Sequence, residues 1–97
     1  MSRDQNEENL GEVIDRLLKA YGLEEGYYAA AISTYWENLM GPAVAKRTGR
    51  ITIERGVLKV EVTSAPLREE LSYSKEKIVQ MINLEIGQRL IKSVEIY

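Results

Sequence analysis

The sequence predicts a small α+β domain in which two N-terminal helices precede a β-hairpin, a long helix and a third strand. Apolar residues recur every three or four positions before residue 41 and again after residue 64, which is typical of amphipathic helices. Between these regions, apolar and polar residues alternate over positions 51–62, which is typical of strands with one buried face. We therefore expect a single three-stranded sheet packed on helices, since 97 residues suffice for one domain.

The first predicted helix begins at Leu10, with Asn9 as its N-cap, and ends before Gly22. The second is predicted over Glu24–Met40 and ends at Gly41. Trp36 lies about 70° from the centre of its apolar stripe, at ~100° per residue, so we expect Trp36 to be half buried. The predicted stripes are Leu10, Val13, Ile14, Leu17, Leu18 and Tyr21 in the first helix, and Tyr28, Ile32, Tyr35 and Leu39 in the second.

A short helical turn is expected after Pro42, followed by a hairpin whose tight turn is Arg55-Gly56. This turn requires a positive φ at Arg55, where asparagine, aspartate or glycine would be more comfortable. The predicted register places Ile53 opposite Leu58, Ile51 opposite Val60 and Arg50 opposite Glu61.

One long helix is predicted from Ser64, its cap, to Gly87, and a final strand over residues 91–97 has Val94 and Ile96 on its inner face. The predicted buried stripe of the long helix consists of Leu67, Leu71, Ser74, Ile78, Met81 and Ile82.

The composition argues against an enzyme. The sequence contains no cysteine and no histidine, which excludes thiolate nucleophiles and cysteine zinc sites and removes the commonest general base. The obvious carboxylate pairs are adjacent in sequence and so point about 100° apart on a helix. No phosphate-binding loop of the GxxxxGK[ST] type is present, nor the GxxG loop of many KH domains. We expect no cofactor, no metal and no small-molecule substrate.

Charge divides the sequence into two parts. Residues 1–41 carry a balance of −5 and residues 42–97 a balance of +3, so any contact with a polyanion is expected in the second part. Residues 1–9 are interpreted as a flexible acidic tail without the apolar core of a secretory signal, and residues 10–97 as one domain. With no apolar stretch long enough to cross a bilayer, a cytoplasmic protein without membrane contact is expected.

The candidate contact residues for nucleic acid or a protein partner are five cations and one aromatic: Lys46, Arg47, Arg50, Arg55, Lys59 and Trp36. If the cations converge, they predict weak, salt-sensitive DNA binding with a Kd on the order of 10⁻⁴ to 10⁻⁶ M. The alternatives are a hairpin edge protected by solvated charge and a tryptophan that fills the core. Tyr27 and Tyr73 fall off the main stripes and are expected at the surface.

Several segments resemble the bacterial DciA-like family, also known as domain of unknown function seven hundred and twenty-one. Residues 36–42 (WENLMGP) are similar to its W-x-x-hydrophobic-hydrophobic-G signature, and residues 45–48 (AKRT) to the small residue and polar or basic pair that follow. Residues 56–64 (GVLKVEVTS) resemble its G-x-L-x-V-x-V-x-S strand, and residues 67–71 (LREEL) a segment that ends in E-L. The closing N…G…I…I pattern is matched by Asn83, Gly87, Ile91 and Ile96.

The resemblance implies a KH-like α+β domain that binds the bacterial replicative helicase, helps to load it onto DNA and has modest affinity for single-stranded or duplex DNA. It implies no enzymatic activity. A generic protein-interaction or dimerisation module, in which an exposed sheet edge or the long helix pairs with another chain, stays open as an alternative.

Overall fold

A computed structural model of the protein describes residues 9–97 and confirms the α+β class, with five helices and one three-stranded sheet in that range. Of the expected tail over residues 1–9, residues 1–8 lie outside the described residues, while Asn9 caps the first helix. The elements are α1 (Leu10–Tyr21), α2 (Glu24–Met40), α3 (Pro42–Ala45), β1 (Thr48–Glu54), β2 (Val57–Val62), α4 (Ala65–Ser72), α5 (Lys75–Ile86) and β3 (Ser93–Ile96).

The first two helices begin and end where the sequence predicts. The Asn9 side chain accepts a hydrogen bond from the Glu12 backbone N–H at 2.8 Å, so it caps α1. Gly22 ends this helix with a φ of 66°, a left-handed conformation that glycine adopts without strain. No helix in residues 9–97 combines the length and the apolar character needed to span a membrane.

The strands are ordered β1-β2-β3 in the sheet. β1 and β2 are antiparallel and have the predicted pairs Ile51–Val60 and Ile53–Leu58. β3 returns parallel to β2 and places Val94 beside Leu58. The φ of Arg55 is 52°, which confirms the positive φ that the tight turn requires.

The predicted pairing of Arg50 with Glu61 is only partly correct, because β1 contains a bulge. The register shifts by one residue between Thr48 and Ile51, so Gly49 and Arg50 together lie opposite Glu61. Glu61 folds its carboxylate over Gly49 and accepts the Arg50 backbone N–H at 3.0 Å. A side chain at position 49 would collide with that carboxylate.

The prediction of one long third helix is wrong, since the chain breaks between α4 and α5 at Tyr73 and Ser74. The Ser72 hydroxyl donates to the Glu69 carbonyl oxygen at 2.6 Å, and the backbone N–H groups of Tyr73 and Ser74 bond only three residues back. Serine side chains compete for helical hydrogen bonds in this way, and an apolar periodicity does not reveal the competition.

The final strand is shorter than predicted, because β3 starts at Ser93 rather than at residue 91. Ile91 precedes the strand and is buried. Its backbone N–H and C=O groups bond to the Asn83 side chain instead of to a neighbouring strand. The Asn83 amide donates to the Ile91 carbonyl oxygen and accepts from the Ile91 N–H, both at 2.8 Å.

The core lies between the inner face of the sheet and helices α2 and α5, and its packing corrects two predictions. Trp36 is 4% exposed rather than half buried, and Tyr35, predicted in the core stripe, is 60% exposed. The buried face of α2 is therefore rotated toward β1, against which this helix packs. The core residues are Ile32, Trp36, Ile53, Leu58, Val60, Val62, Ile78, Ile82, Ile91 and Val94.

Candidate protein and nucleic-acid interface

Of the six predicted contact residues, Lys46, Arg47 and Arg50 lie together, in the loop after α3 and at the start of β1, and all three are exposed. Arg55 is exposed at the hairpin turn, beyond the other end of β1. With a rise of ~3.3 Å per residue, the seven-residue strand separates this turn from the loop by about 20 Å. The predicted cations therefore do not form one cluster.

Lys59 lies between these two ends, on the open face of the sheet, where it pairs with Thr52. Its ammonium group is 3.6 Å from the Glu54 carboxylate, so part of its charge is balanced within the hairpin. Exposed pairs of this kind contribute little to stability, and a stronger anion can compete for the lysine. The surrounding shallow depression, of about 330 Å³, mixes both signs of charge and is lined by Arg50, Thr52, Glu54, Lys59, Glu95 and Tyr97.

Trp36 is joined by hydrogen bonds to the segment that carries Lys46 and Arg47. Its indole N–H donates to the Thr48 hydroxyl at 2.9 Å, and this hydroxyl donates in turn to the Val44 carbonyl oxygen at 2.8 Å. These two hydrogen bonds link α2, α3 and the first residue of β1, so they fix the path of the Lys46-Arg47 loop. With its ring buried, Trp36 offers no stacking face to a base or a partner.

Arg68 is a further cation at this end of the hairpin that the predicted set does not contain. Its guanidinium donates to the Val62 carbonyl oxygen at 2.6 Å, while the N–H of the same peptide group, from Thr63, donates to the Arg47 carbonyl oxygen at 2.8 Å. One peptide group thus joins the Arg47 loop to the start of α4. We call Lys46, Arg47, Arg50 and Arg68 the basic end. The only sequence signal for Arg68 is a basic residue in the first turns of the helix that Ser64 caps.

The hairpin turn at the opposite end is bound to α2 through Glu25. The Glu25 carboxylate accepts the backbone N–H groups of Arg55 and Gly56 at 3.1 and 2.7 Å. Two N–H groups that converge on one anion form a concave binding site for negative charge. Here Glu25 fills that site, and the Arg55 side chain is exposed.

A partly exposed apolar stripe on α1, with three of its six residues exposed and three half buried, is a feature that the predicted site omits. Leu10, Leu17 and Tyr21 follow its mid-line from the first to the last residue of α1 and are 74%, 48% and 73% exposed. None of the α1 side chains belongs to the core. The helix is held to α2 through its cap at Gly22 and through the Tyr28 hydroxyl, which donates to Asp15 at 3.0 Å. We call Leu10, Val13, Ile14, Leu17, Leu18 and Tyr21 the α1 stripe.

Tyr28 also borders an apolar groove of about 320 Å³ between α2 and α5, which Tyr27 and the exposed Tyr35 line as well. Burial of the Tyr28 hydroxyl, followed by its hydrogen bond to Asp15, raises its pKa above the usual 10.0. The phenol is therefore a neutral hydrogen-bond donor at physiological pH. Tyr27 and Tyr73 are exposed, as predicted.

The side chains of residues 9–97 contain no group of three or more carboxylates that could hold a metal ion. Nor does this part of the chain contain a buried polar side chain without a hydrogen-bond partner. Its accessible surface instead combines a basic end with an uncovered apolar helix face, features typical of binding to macromolecules.

The fold and this surface define a small α+β binding domain. The sequence profile of the family described as Dna[CI] antecedent, DciA matches residues 9–96, so the chain belongs to the DciA family. This is a family of non-enzymatic replication adaptors associated with helicase loading. None of the curated proteins compared with the chain matches it.

Proposed function

We propose that this protein is a non-enzymatic adaptor that binds the replicative DNA helicase, binds DNA weakly and assists helicase loading in the bacterial cytoplasm. Membership of the DciA family over residues 9–96 is the observation that carries the proposal. Two separate surfaces support it, one apolar and one basic, as an adaptor between a protein and DNA requires.

The α1 stripe is the proposed helicase contact. Leu10, Leu17 and Tyr21 are exposed although they belong to the apolar face of an amphipathic helix. A helix of about 12 residues is only marginally stable without packing on an apolar face. Covering this face with the helicase would bury the side chains of Leu10, Leu17 and Tyr21, which the described chain leaves exposed.

The basic end is the proposed DNA contact. Lys46 and Arg47 are exposed on the loop after α3, and Arg50 is exposed near the start of β1. Hydrogen bonds from Trp36 to Thr48 and from Thr63 to Arg47 hold this segment in place. Backbone phosphates are bound by such a group without reading of base sequence. Arg55 and Lys59 are proposed as minor contacts, since one is about 20 Å away and the other is paired with Glu54. Because Trp36 is buried, we assign it the role of positioning the Lys46-Arg47 loop instead of the predicted contact with nucleic acid or a partner.

The helicase contact is tested by fluorescence anisotropy of the labelled chain with the same organism's purified helicase. Replacement of Leu10 and Leu17 by serine is expected to weaken binding at least about tenfold, because central apolar anchors dominate interface energies. Leu84→Ser is the matched control, since Leu84 is an exposed leucine on a different helix. Equal affinity of the double variant and the control would refute the siting on α1.

The DNA contact is tested separately by titration with duplex DNA at several salt concentrations. Replacement of both Lys46 and Arg47 by alanine is expected to make the negative slope of log K against log salt shallower by about 2, roughly one unit for each lost phosphate contact. Alanine at Lys75 and Lys77, two exposed lysines at the start of α5, removes the same charge elsewhere and is expected to change the slope less. An unchanged slope for the first variant would refute the basic end as the DNA site.

A further inference from the structure

Strand β1 lies at one edge of the sheet, and within residues 9–97 its only strand neighbour is β2. The pair Ile51–Val60 is not hydrogen-bonded within the hairpin, because the Val60 carbonyl oxygen accepts instead from Tyr97 on the β3 side, at 3.0 Å. In an antiparallel ladder, the backbone groups of Ile51 and Ile53 therefore point away from β2. They are available to another strand.

The outward side chains make β1 complementary to itself. Arg50, Thr52 and Glu54 lie on the open face of the sheet. If a second β1 lies antiparallel with its Thr52 opposite the first Thr52, Arg50 of each chain faces Glu54 of the other. Opposite charges at directly opposed positions stabilise strand pairs, whereas like charges destabilise them.

The backbone positions agree with the same register. Ile51 of one chain then faces Ile53 of the other, and both residues direct their N–H and C=O groups toward the new neighbour. The inward side chains also match, since isoleucine faces isoleucine across the junction. α2 borders this edge with Ser33, Thr34 and Glu37, and a groove of about 240 Å³ lies between them and the start of β1.

We propose that a second copy of this chain pairs with β1, so that two domains form a continuous six-stranded sheet around a two-fold axis at Thr52. The two copies contribute identical surfaces, as a closed two-fold dimer requires. The Arg50–Glu54 match selects another copy of the same strand as the occupant of this edge. This dimer does not depend on helicase binding, since the α1 stripe and β1 are different surfaces.

The test is the mass of the full chain measured by light scattering or sedimentation equilibrium, at micromolar to high-micromolar concentration and low salt. The unaltered chain is expected to approach twice the monomer mass as its concentration rises. The dimer contains two contacts between position 50 of one copy and position 54 of the other. Arg50→Glu and Glu54→Arg each place like charges at both contacts, so each is expected to weaken the dimer at least about tenfold. An equimolar mixture of the two variants restores opposite charges at both contacts and is expected to dimerise.

Glu95→Arg is the matched control, because it reverses a charge on the same open face but on the far strand β3. It is expected to dimerise like the unaltered chain, and circular dichroism checks that every variant is folded. A monomeric mass for the unaltered chain at all concentrations would overturn the proposal. So would variants that dimerise alone as well as when mixed. Neither result affects the proposed helicase contact, which is measured with a different partner and different variants.

Discussion

Glu25, in the first turn of α2, accepts a hydrogen bond from the Gly56 backbone N–H at 2.7 Å, across 31 residues of sequence. The same carboxylate accepts the Arg55 N–H at 3.1 Å. This contact joins the N-terminal end of α2 to the hairpin turn, while Trp36 joins its C-terminal end to Thr48. Helix α2 is thus fixed at both ends of the strand that carries the proposed contacts.

Replacement of Glu25 by alanine is expected to lower the free energy of unfolding by about 2 kcal/mol, because two backbone N–H groups lose a charged acceptor. Glu24→Ala is the matched control. Among the described residues, the Glu24 carboxylate accepts a long hydrogen bond from Gln88, at 3.4 Å, and a loss under about 0.5 kcal/mol is expected. Chemical denaturation measures both, and equal losses would contradict the role of Glu25 at the turn.

Trp36→Phe is expected to cost about 2 kcal/mol of stability, because it leaves the Thr48 hydroxyl without its indole donor and removes buried volume. Tyr35→Phe on the same helix removes an exposed hydroxyl and is expected to change stability by less than about 0.5 kcal/mol. Trp36 is the only tryptophan, so its emission reports burial directly. Strong quenching by acrylamide in the folded protein would contradict the structure.

Asn83→Ala is expected to destabilise the fold by about 2 kcal/mol or more, since both the N–H and the C=O of buried Ile91 lose their partner. Asn83→Asp keeps the shape but replaces the donor to the Ile91 carbonyl oxygen with an acceptor, and is expected to destabilise as well. Gln80→Ala, at an exposed position of α5, is the control. A thermal-melting series that ranks Gln80→Ala with the Asn83 variants would contradict this assignment.

Stability is expected to fall at alkaline pH through Tyr28. Burial and the bond to Asp15 raise its pKa in the folded state above 10.0, so the folded chain holds this proton more tightly than the unfolded chain. The resulting stabilisation is complete below pH 10 and is lost as the pH rises through the folded pKa. Absorbance titration of tyrosinate in the unaltered chain and in Tyr28→Phe isolates this group, and a difference titration centred at or below pH 10 would contradict the contact.

The hairpin and the first two helices could be predicted because local signals specify them: the alternating isoleucines, the Arg55-Gly56 turn and the glycines that end the helices. The break at Tyr73 could not, since apolar spacing continues through it and the serine hydrogen bond that ends α4 leaves no periodic trace. For a related reason, the sequence predicts Tyr35 in the core stripe and Trp36 half buried, whereas Tyr35 is exposed and Trp36 is buried. These adjacent residues point about 100° apart on α2, and only the position of β1 decides which of them is buried.

The candidate site, like the fold, could be predicted only in part from the sequence. A basic loop is visible in composition, and Lys46, Arg47 and Arg50 do lie together. The separation of Arg55 and the approach of Arg68 depend on strand length and on the Val62–Thr63 peptide group, which spacing along the chain does not encode. The exposure of the α1 stripe could not be predicted either, because an amphipathic pattern has the same appearance whether or not a core covers it.

The most direct test of the account is whether this chain binds the replicative helicase of its own organism in the absence of DNA. Sedimentation velocity of the labelled chain, alone and with purified helicase, measures this at a single salt concentration. We expect the chain to co-sediment with the helicase in a saturable manner, and the double serine variant at Leu10 and Leu17 to stay at its own sedimentation rate. A chain that sediments unchanged at saturating helicase would contradict the adaptor function itself.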